Sequence, residues 1–289
     1  MRKTGHRESG WHNRTMVEVC TLGTGTPNPD PERAASGVAV ITENHGWMLI
    51  DCGRAVTQRA LQAELDLTQL QAVLLTHHHS DHVSDLATLA TARWTSGAGT
   101  PLSVIAPRGP CARYAERCLD PYEDQSFYSQ APTAAGKRPR IGVSAFQARS
   151  RVSTVFDSPP WKVKSALVDH QPIEAAVGYR VEVGGAVVTL SGDTAVGNGI
   201  EVLASEADLL VHQAVRADLV SPGLLAWNAS ATSVGDLARR TSVGRLILTH
   251  LLPSPGSAAP ADEFVADVRD GGYTGPVDVA RDLFRLRIS

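Results

Sequence analysis

Between residues 74 and 86 the chain reads LLTHHHSDHVSDL, with four histidines and two aspartates directly behind an apolar run. A polar loop turned to water would explain a lone histidine. It does not explain His77, His79, Asp81 and His82 packed into six residues at a strand-to-helix junction. That spacing points to a metal cradle, with His78 and Asp85 as bystanders. Imidazole and carboxylate donors together suit zinc and, less selectively, iron or manganese. A second ion needs donors from elsewhere, and three more strand ends offer them. SALVDH carries Asp169 and His170 behind an apolar run. VVTLSGDT ends in Asp193, with Gly192 letting the backbone turn, and RLILTH ends in His250. Singly, each reads as a turn residue, a cap or a surface histidine. In a layered fold, strand ends on one edge converge, so the loops can bring these groups together. His212 sits inside an apolar strand and reads as a buried, hydrogen-bonded histidine. LGTGTP (22–27) lacks the G-x-G-x-x-G spacing of a phosphate cradle and no helix follows at once, so it reads as a tight turn.

The elements that must position these groups are legible as alternating runs. Strand signals include VEVCTL, GVAVIT, WMLID, AVLLT, LSVIA, KSALVDH, GYRVEV, AVVTLSGD, DLLVHQAV and RLILTH, with ENHG and GG (184–185) as hairpin turns. Helical patterns lie in VTQRALQAEL, HVSDLATLATARW, PCARYAERCL, SATSVGDLARRT and ADEFVADVRD. An opening meander followed by strands that alternate with helices fits two mixed sheets face to face with helices outside. Residues 121–160 are poor in apolar periodicity and read as an excursion from the core, a lid or a dimer contact.

The chain has 289 residues, 43% hydrophobic and 20% charged, ample for a large core. No run approaches the ~20 apolar residues of a membrane span. Residues 1–15 are basic but have no apolar segment behind them, so they read as a flexible lead rather than a signal peptide. Cys20, Cys52, Cys111 and Cys118 show no C-x-x-C pairing, which suggests neither a thiolate zinc site nor a disulfide framework and fits a reducing cytoplasm. Net charge is −3, giving no global case for nucleic acid. Locally, Lys137, Arg138, Arg140, Arg149, Arg151, Lys162 and Lys164 face one acid, Asp157. They form either a solvated face or a rim that attracts an anionic substrate.

LGTGTP, MLIDCG, THHHSDH, VDH, SGDT and LILTH, in that order over residues 17 to 252, resemble the metallo-β-lactamase superfamily, in its ribonuclease Z-like branch. The resemblance implies an αββα sandwich over residues 16–289 and a dinuclear, usually zinc, site, with manganese or iron as substitutes. It assigns His77, His79 and His170 to one ion, Asp81, His82 and His250 to the other, and Asp193 to both. Two such ions share a hydroxide and clamp the attacking and leaving oxygens, and Asp81 orients the nucleophile. Thr76, Asp51 and Asp169 are candidates to hold imidazole N–H groups. Arg33 and Ser36 resemble residues that the branch keeps near its metals. Where relatives that trim transfer-RNA precursors carry a His-Ser-Thr stretch this chain has NASAT, putting Asn228 in place of the histidine. Their HEAT-like segment is HQAV here, with Gln213 for the glutamate, and no Gly-Pro-rich arm separates His82 from His170. These departures favour hydrolysis of a small anionic ester, phosphodiester before sulfate ester or lactone, with Asn228 or Ser230 touching the substrate. A homodimer is expected. The rivals are a tRNA 3′-processing endonuclease and a non-catalytic metal-binding scaffold.

Overall fold

The computed structural model describes residues 16–122, 129–130, 133–256 and 259–288, so the lead at 1–15 lies outside the described residues. The chain opens with β1 (Val17–Gly23), β2 (Gly37–Thr42) and β3 (Gly46–Ile50), an antiparallel meander. α1 (Val56–Gln62) leads to β4 (Leu70–Leu74). α2 (Ser80–Val83) and α3 (Leu86–Thr95) lead to β5 (Leu102–Pro107), and α4 (Pro110–Arg117) to β6 (Ile141–Phe146). β4, β5 and β6 join β3 in parallel. The second sheet begins with β7 (Ser153–Ser158), β8 (Trp161–Leu167), β9 (Val177–Val183) and β10 (Ala186–Leu190), all antiparallel. α5 (Asn198–Ala204) precedes β11 (Leu209–Val215). The short α6 (Pro222–Leu225) and α7 (Ala231–Arg240) precede β12 (Arg245–Leu252), and α8 (Ala261–Asp270) precedes β13 (Val277–Val279). These last three strands extend the sheet in parallel from β10. β14 (Phe284–Ile288) then returns to pair with β1, completing two seven-stranded sheets.

The layering follows from period-two alternation with both faces apolar. On β4, Ala72 and Leu74 enter a core shared with Tyr179, Val181, Val211 and Ile247 of the other sheet, while Val73, and Leu75 just beyond the strand, pack beneath the helices. Covered on both faces, such strands read as continuous apolar runs. α1, α3 and α4 cover one sheet, and α5, α7 and α8 the other. The expected αββα sandwich is what forms. Among the described residues no helix is long and apolar enough to cross a membrane.

Two readings need correction. The run from His82 to Trp94 is two helices, because Asp85 leaves the helical path to accept the Thr57 N–H at 2.7 Å while its own N–H donates to the Cys52 carbonyl at 3.0 Å. Within 121–160, β6 and β7 each form one edge of a sheet, opposite β14 and β13. Their alternation is muted because they are half-exposed: Ile141, Val143 and Ala145 pack inward while Gly142 and Ser144 face water.

Candidate metal centre

Parallel strands gather their carboxyl ends on one rim, where open α/β sheets place ligands. Asp51 follows β3, His77 and His79 follow β4, and Asp81 and His82 ride on α2. His170 follows β8, Asp193 follows β10, and His250 lies near the end of β12. The structure brings all seven predicted donors together. The donor atoms of His77, His79, His170 and Asp193 lie within 4.8 Å of one another, as do those of Asp81, His82 and His250. His77 Nε2 is 2.9 Å and His170 Nε2 3.3 Å from His79 Nδ1. His82 Nε2 is 3.2 Å from His250 Nε2, and His250 Nε2 is 3.3 Å from Asp81 Oδ2. Asp193 Oδ2 joins the groups, at 3.1 Å from His250, 3.5 Å from His82 and 3.9 Å from His170. A four-coordinate ion with donors ~2.0–2.2 Å away sets those donors roughly 3.3–3.6 Å apart. The spacing suits two ions with Asp193 between them.

Asp81 Oδ1 and Oδ2, Asp193 Oδ1 and His250 Nδ1 are buried with no hydrogen-bond partner. Buried carboxylate oxygens left so are costly unless a cation meets them. Burial pushes the Asp193 carboxyl up, but His250 and His82 outweigh it and hold it well below the usual carboxylate range. Burial likewise works against a charged His250, yet Asp193 and Asp81 pull it up to about 9. His82 is raised by Asp193 and Asp51 against its burial, whereas burial and the His82 charge keep His77 low. The carboxylates thus draw positive charge into a buried pocket, which a divalent ion supplies in place of protons.

The scaffold around the donors is tightly bonded. Asp51 Oδ2 lies 2.7 Å from His82 Nδ1, and its Oδ1 accepts the Thr76 N–H at 2.8 Å. Thr76 Oγ1 is 3.1 Å from His77 Nδ1. Asp169, the third candidate for this role, is exposed and instead pairs by backbone with Ala195 at 2.8 Å. The α2 backbone is clasped by Ser36 N–H on the Asp81 carbonyl at 3.1 Å and Cys52 N–H on the His82 carbonyl at 2.7 Å. A Cβ on Gly53 would overlap that same Asp81 carbonyl, so MLIDCG needs its glycine. Asp51 (φ 60°) and His250 (φ 49°) both hold the left-handed region that side chains avoid. Asp282 was not foreseen. Its carboxylate accepts from Thr24, Ala34 and Arg59 at 2.7–3.0 Å and so pins the LGTGTP turn, but no local pattern marks it.

The substrate candidates divide. Ser36 lines an internal space together with His82, Asp193 and His250. Arg33 turns away to donate to Thr24 Oγ1 at 2.7 Å and the Ala280 carbonyl at 3.3 Å. Ser230 caps α7, accepting the Ser233 N–H at 3.1 Å. Asn228 donates to the Leu224 carbonyl at 2.9 Å, and the carbonyl of its neighbour Trp227 lies 3.3 Å from His170 Nδ1. Buried Gln213 donates to the Thr194 carbonyl at 2.7 Å. His212 is fully buried, Nδ1 2.6 Å from the Gln213 carbonyl. Part of the basic segment is neutralised, since Lys164 meets Glu182 at 2.6 Å and Lys162 meets Asp157 at 3.7 Å.

Comparison with known proteins places this arrangement. Residues 46–251 match the family model described as a beta-lactamase superfamily domain. Ribonuclease Z of Mycobacterium bovis is 32% identical over 284 residues, covering 94% of this chain and 99% of that one. Among solved structures, the metallo-beta-lactamase fold protein YhfI from Bacillus subtilis superposes with a TM-score of 0.70 at 22% identity, covering 94% and 99% of the two chains. The short form of human tRNase Z superposes equally, with a TM-score of 0.70 at 20% identity and the same coverage. The chain belongs to the metallo-β-lactamase superfamily, in its ribonuclease Z-like branch, and is a metal-dependent hydrolase of ester bonds.

Proposed function

We propose that residues 16–289 act as one hydrolase domain that cleaves phosphodiester bonds in RNA, as the name of its ribonuclease Z relatives denotes, with transfer-RNA precursors as the substrate class. The observation that carries this is the joining of two donor groups by Asp193 in a chain that matches those relatives over nearly its whole length. It reverses the ranking drawn from Asn228, Gln213 and the missing Gly-Pro-rich arm. Zinc is the ion we assign, because five imidazoles and two carboxylates suit it, with His77, His79 and His170 on one side, Asp81, His82 and His250 on the other, and Asp193 to both. When bound, the two ions supply Lewis-acid charge and lower the pKa of water towards neutrality.

The remaining work falls to the chain. Asp81 is 4% exposed with both carboxylate oxygens free of hydrogen bonds, so one can hold a cation while the other orients the attacking water. Asp51 and Thr76 fix the rings of His82 and His77. The four free cysteines support a reducing, cytoplasmic setting. The outer strands β6 and β7 present sheet edges that support a homodimer, which sedimentation velocity tests.

A second reading, hydrolysis of a small anionic ester, is favoured by one observation. Gln213 and Asn228 are engaged with backbone carbonyls and cannot titrate, so neither can protonate a poor leaving group. The metal-loaded protein should be assayed on a transfer-RNA precursor and on bis(p-nitrophenyl) phosphate. Endonucleolytic cleavage of the RNA, lost in Asp81→Asn, is expected. Intact RNA beside rapid turnover of the small diester, a sulfate ester or a lactone would favour the second reading instead.

A further inference from the structure

The link from β11 to α7 passes the metal centre at Trp227, whose carbonyl lies 3.3 Å from His170 Nδ1. A carbonyl can only accept, so Nδ1 carries the proton and Nε2 keeps its lone pair for the donor group. A carbonyl oxygen stands about 2.4 Å from its own Cα, which puts the Trp227 Cα within roughly 6 Å of that ring nitrogen. The backbone is held on both sides of this point. The Trp227 N–H donates to the Leu224 carbonyl at 3.3 Å, and the Asn228 side chain donates to the same carbonyl at 2.9 Å. The Ala229 N–H donates to the carbonyl of Thr194, the residue after Asp193, at 2.9 Å. Asn228 thus closes the turn that carries the indole, and Ala229 ties that turn to the bridging aspartate.

Trp227 is nevertheless 43% exposed, whereas Trp47, Trp94 and Trp161 are buried at 2–3%. A single apolar side chain in water is ordinary on any surface. An indole fixed by its backbone beside a donor histidine is a different object, a large flat surface held at a set distance from the reaction. Its neighbours say what that surface can take. From Ala217 to Asn228 the chain has one charged residue, Asp218, which meets Arg216 at 3.1 Å. The segment has no cation to hold a phosphate. What it offers a strand leaving the metal centre is the π face of the indole, against which every base can stack.

We propose that the Trp227 indole is a stacking platform for one base of the RNA substrate, on a nucleotide flanking the phosphodiester at the metal centre. Stacking needs a free ring face, so the base it takes is unpaired. The inference rests on the RNA reading above and adds to it how a flanking base is held. Stacking is not a charge contact, so the contribution of Trp227 is the same at every salt concentration, unlike that of a lysine or arginine on phosphate.

The test measures binding of a short, labelled, phosphorothioate-linked oligoribonucleotide to the zinc-loaded full-length protein by fluorescence anisotropy across a salt series. Trp227→Ala should weaken binding about fivefold to a hundredfold, the loss of one stacked base, and leave the slope of log Kd against log salt unchanged. Trp227→Phe should keep most of the affinity but lose the quenching of indole emission that the wild type shows on binding. Both variants retain the backbone carbonyl at His170, so their zinc content should equal that of the wild type. A set of oligoribonucleotides, each with one abasic nucleotide, locates the base. At one position its removal should cost the wild type as much as Trp227→Ala does and cost the alanine variant nothing further. Wild-type affinity in Trp227→Ala would overturn the platform, as would a loss that disappears at high salt or an oligoribonucleotide that the wild type does not bind. A wild-type dimer that becomes monomeric in Trp227→Ala, with RNA binding unchanged, would make this face a protein interface instead. If Trp227→Ala loses zinc, the abasic set on the wild type decides, and an even loss at every position counts against the platform. Binding does not depend on cleavage. A transfer-RNA precursor that is cut while Trp227→Ala binds normally removes the platform alone. One that is never cut, while Trp227→Ala binds weakly, removes the ribonuclease reading alone.

Discussion

Replacing Asp51 by asparagine puts a single amide where a carboxylate now meets donors on both sides. Oδ1 accepts the Thr76 N–H at 2.8 Å, and Oδ2 lies 2.7 Å from His82 Nδ1. Asparagine tolerates the φ of 60° held at this position, so the substitution changes chemistry rather than backbone. Its one carbonyl oxygen can serve only one of the two donors, and its NH2 must then face the other. A buried donor left without an acceptor costs about 1–3 kcal/mol. If the NH2 faces His82, the ring is driven to the opposite tautomer and Nε2, the atom turned to His250 and Asp193, loses its lone pair. Removing the partner of a metal-binding histidine typically costs 10–100-fold in affinity. Asp51→Asn should therefore bind zinc about 10–100-fold more weakly in competition with a chromophoric chelator. Its metal-free form should melt roughly 2–10 °C lower. Zinc affinity within about twofold of wild type would refute the assigned role of Asp51.

Gly53→Ala sets a methyl against the Asp81 carbonyl and should lower both melting temperature and metal content; a variant that keeps both would show that α2 can shift freely. Burial pulls His212 down to about 4, outweighing its bond to the Gln213 carbonyl, so the folded state resists a proton that the unfolded chain accepts near 6.5. Its contribution is full above about pH 6.5 and is lost as pH falls through 4, a change of roughly 3 kcal/mol. His212→Gln should flatten denaturant-measured stability between pH 7 and 4 by that amount, and an unchanged profile would contradict it. Burial pushes the thiols of Cys20 and Cys118 up to about 11 and raises Cys52 and Cys111 further. Iodoacetamide at pH 8 should hence label the native protein far more slowly than the unfolded one, as mass spectrometry will report.

What could be read from sequence was whatever is written locally. The two buried parallel blocks announce themselves as apolar runs, and four donors within six residues are visible without any fold. His170, Asp193 and His250 could be joined to them because each ends a strand, and strand ends share a rim. The outer strands β6 and β7 were harder, since a half-exposed edge carries only half an apolar pattern. Asp85 broke an expected helix through a bond to Thr57, 28 positions earlier. Asp282 acts on Thr24, 258 positions away, and no window along the chain contains both. Arg33 resembles a residue that the branch keeps near its metals and Ser230 belongs to NASAT, yet their polar groups are taken up by a turn and a helix cap.

Crystals grown with zinc and measured at its absorption edge address the central claim most directly. Two anomalous peaks per chain, about 3.5–4 Å apart, are expected. One should lie among His77, His79 and His170 and the other among Asp81, His82 and His250, with Asp193 reaching both. A single peak, or peaks away from these residues, would contradict it.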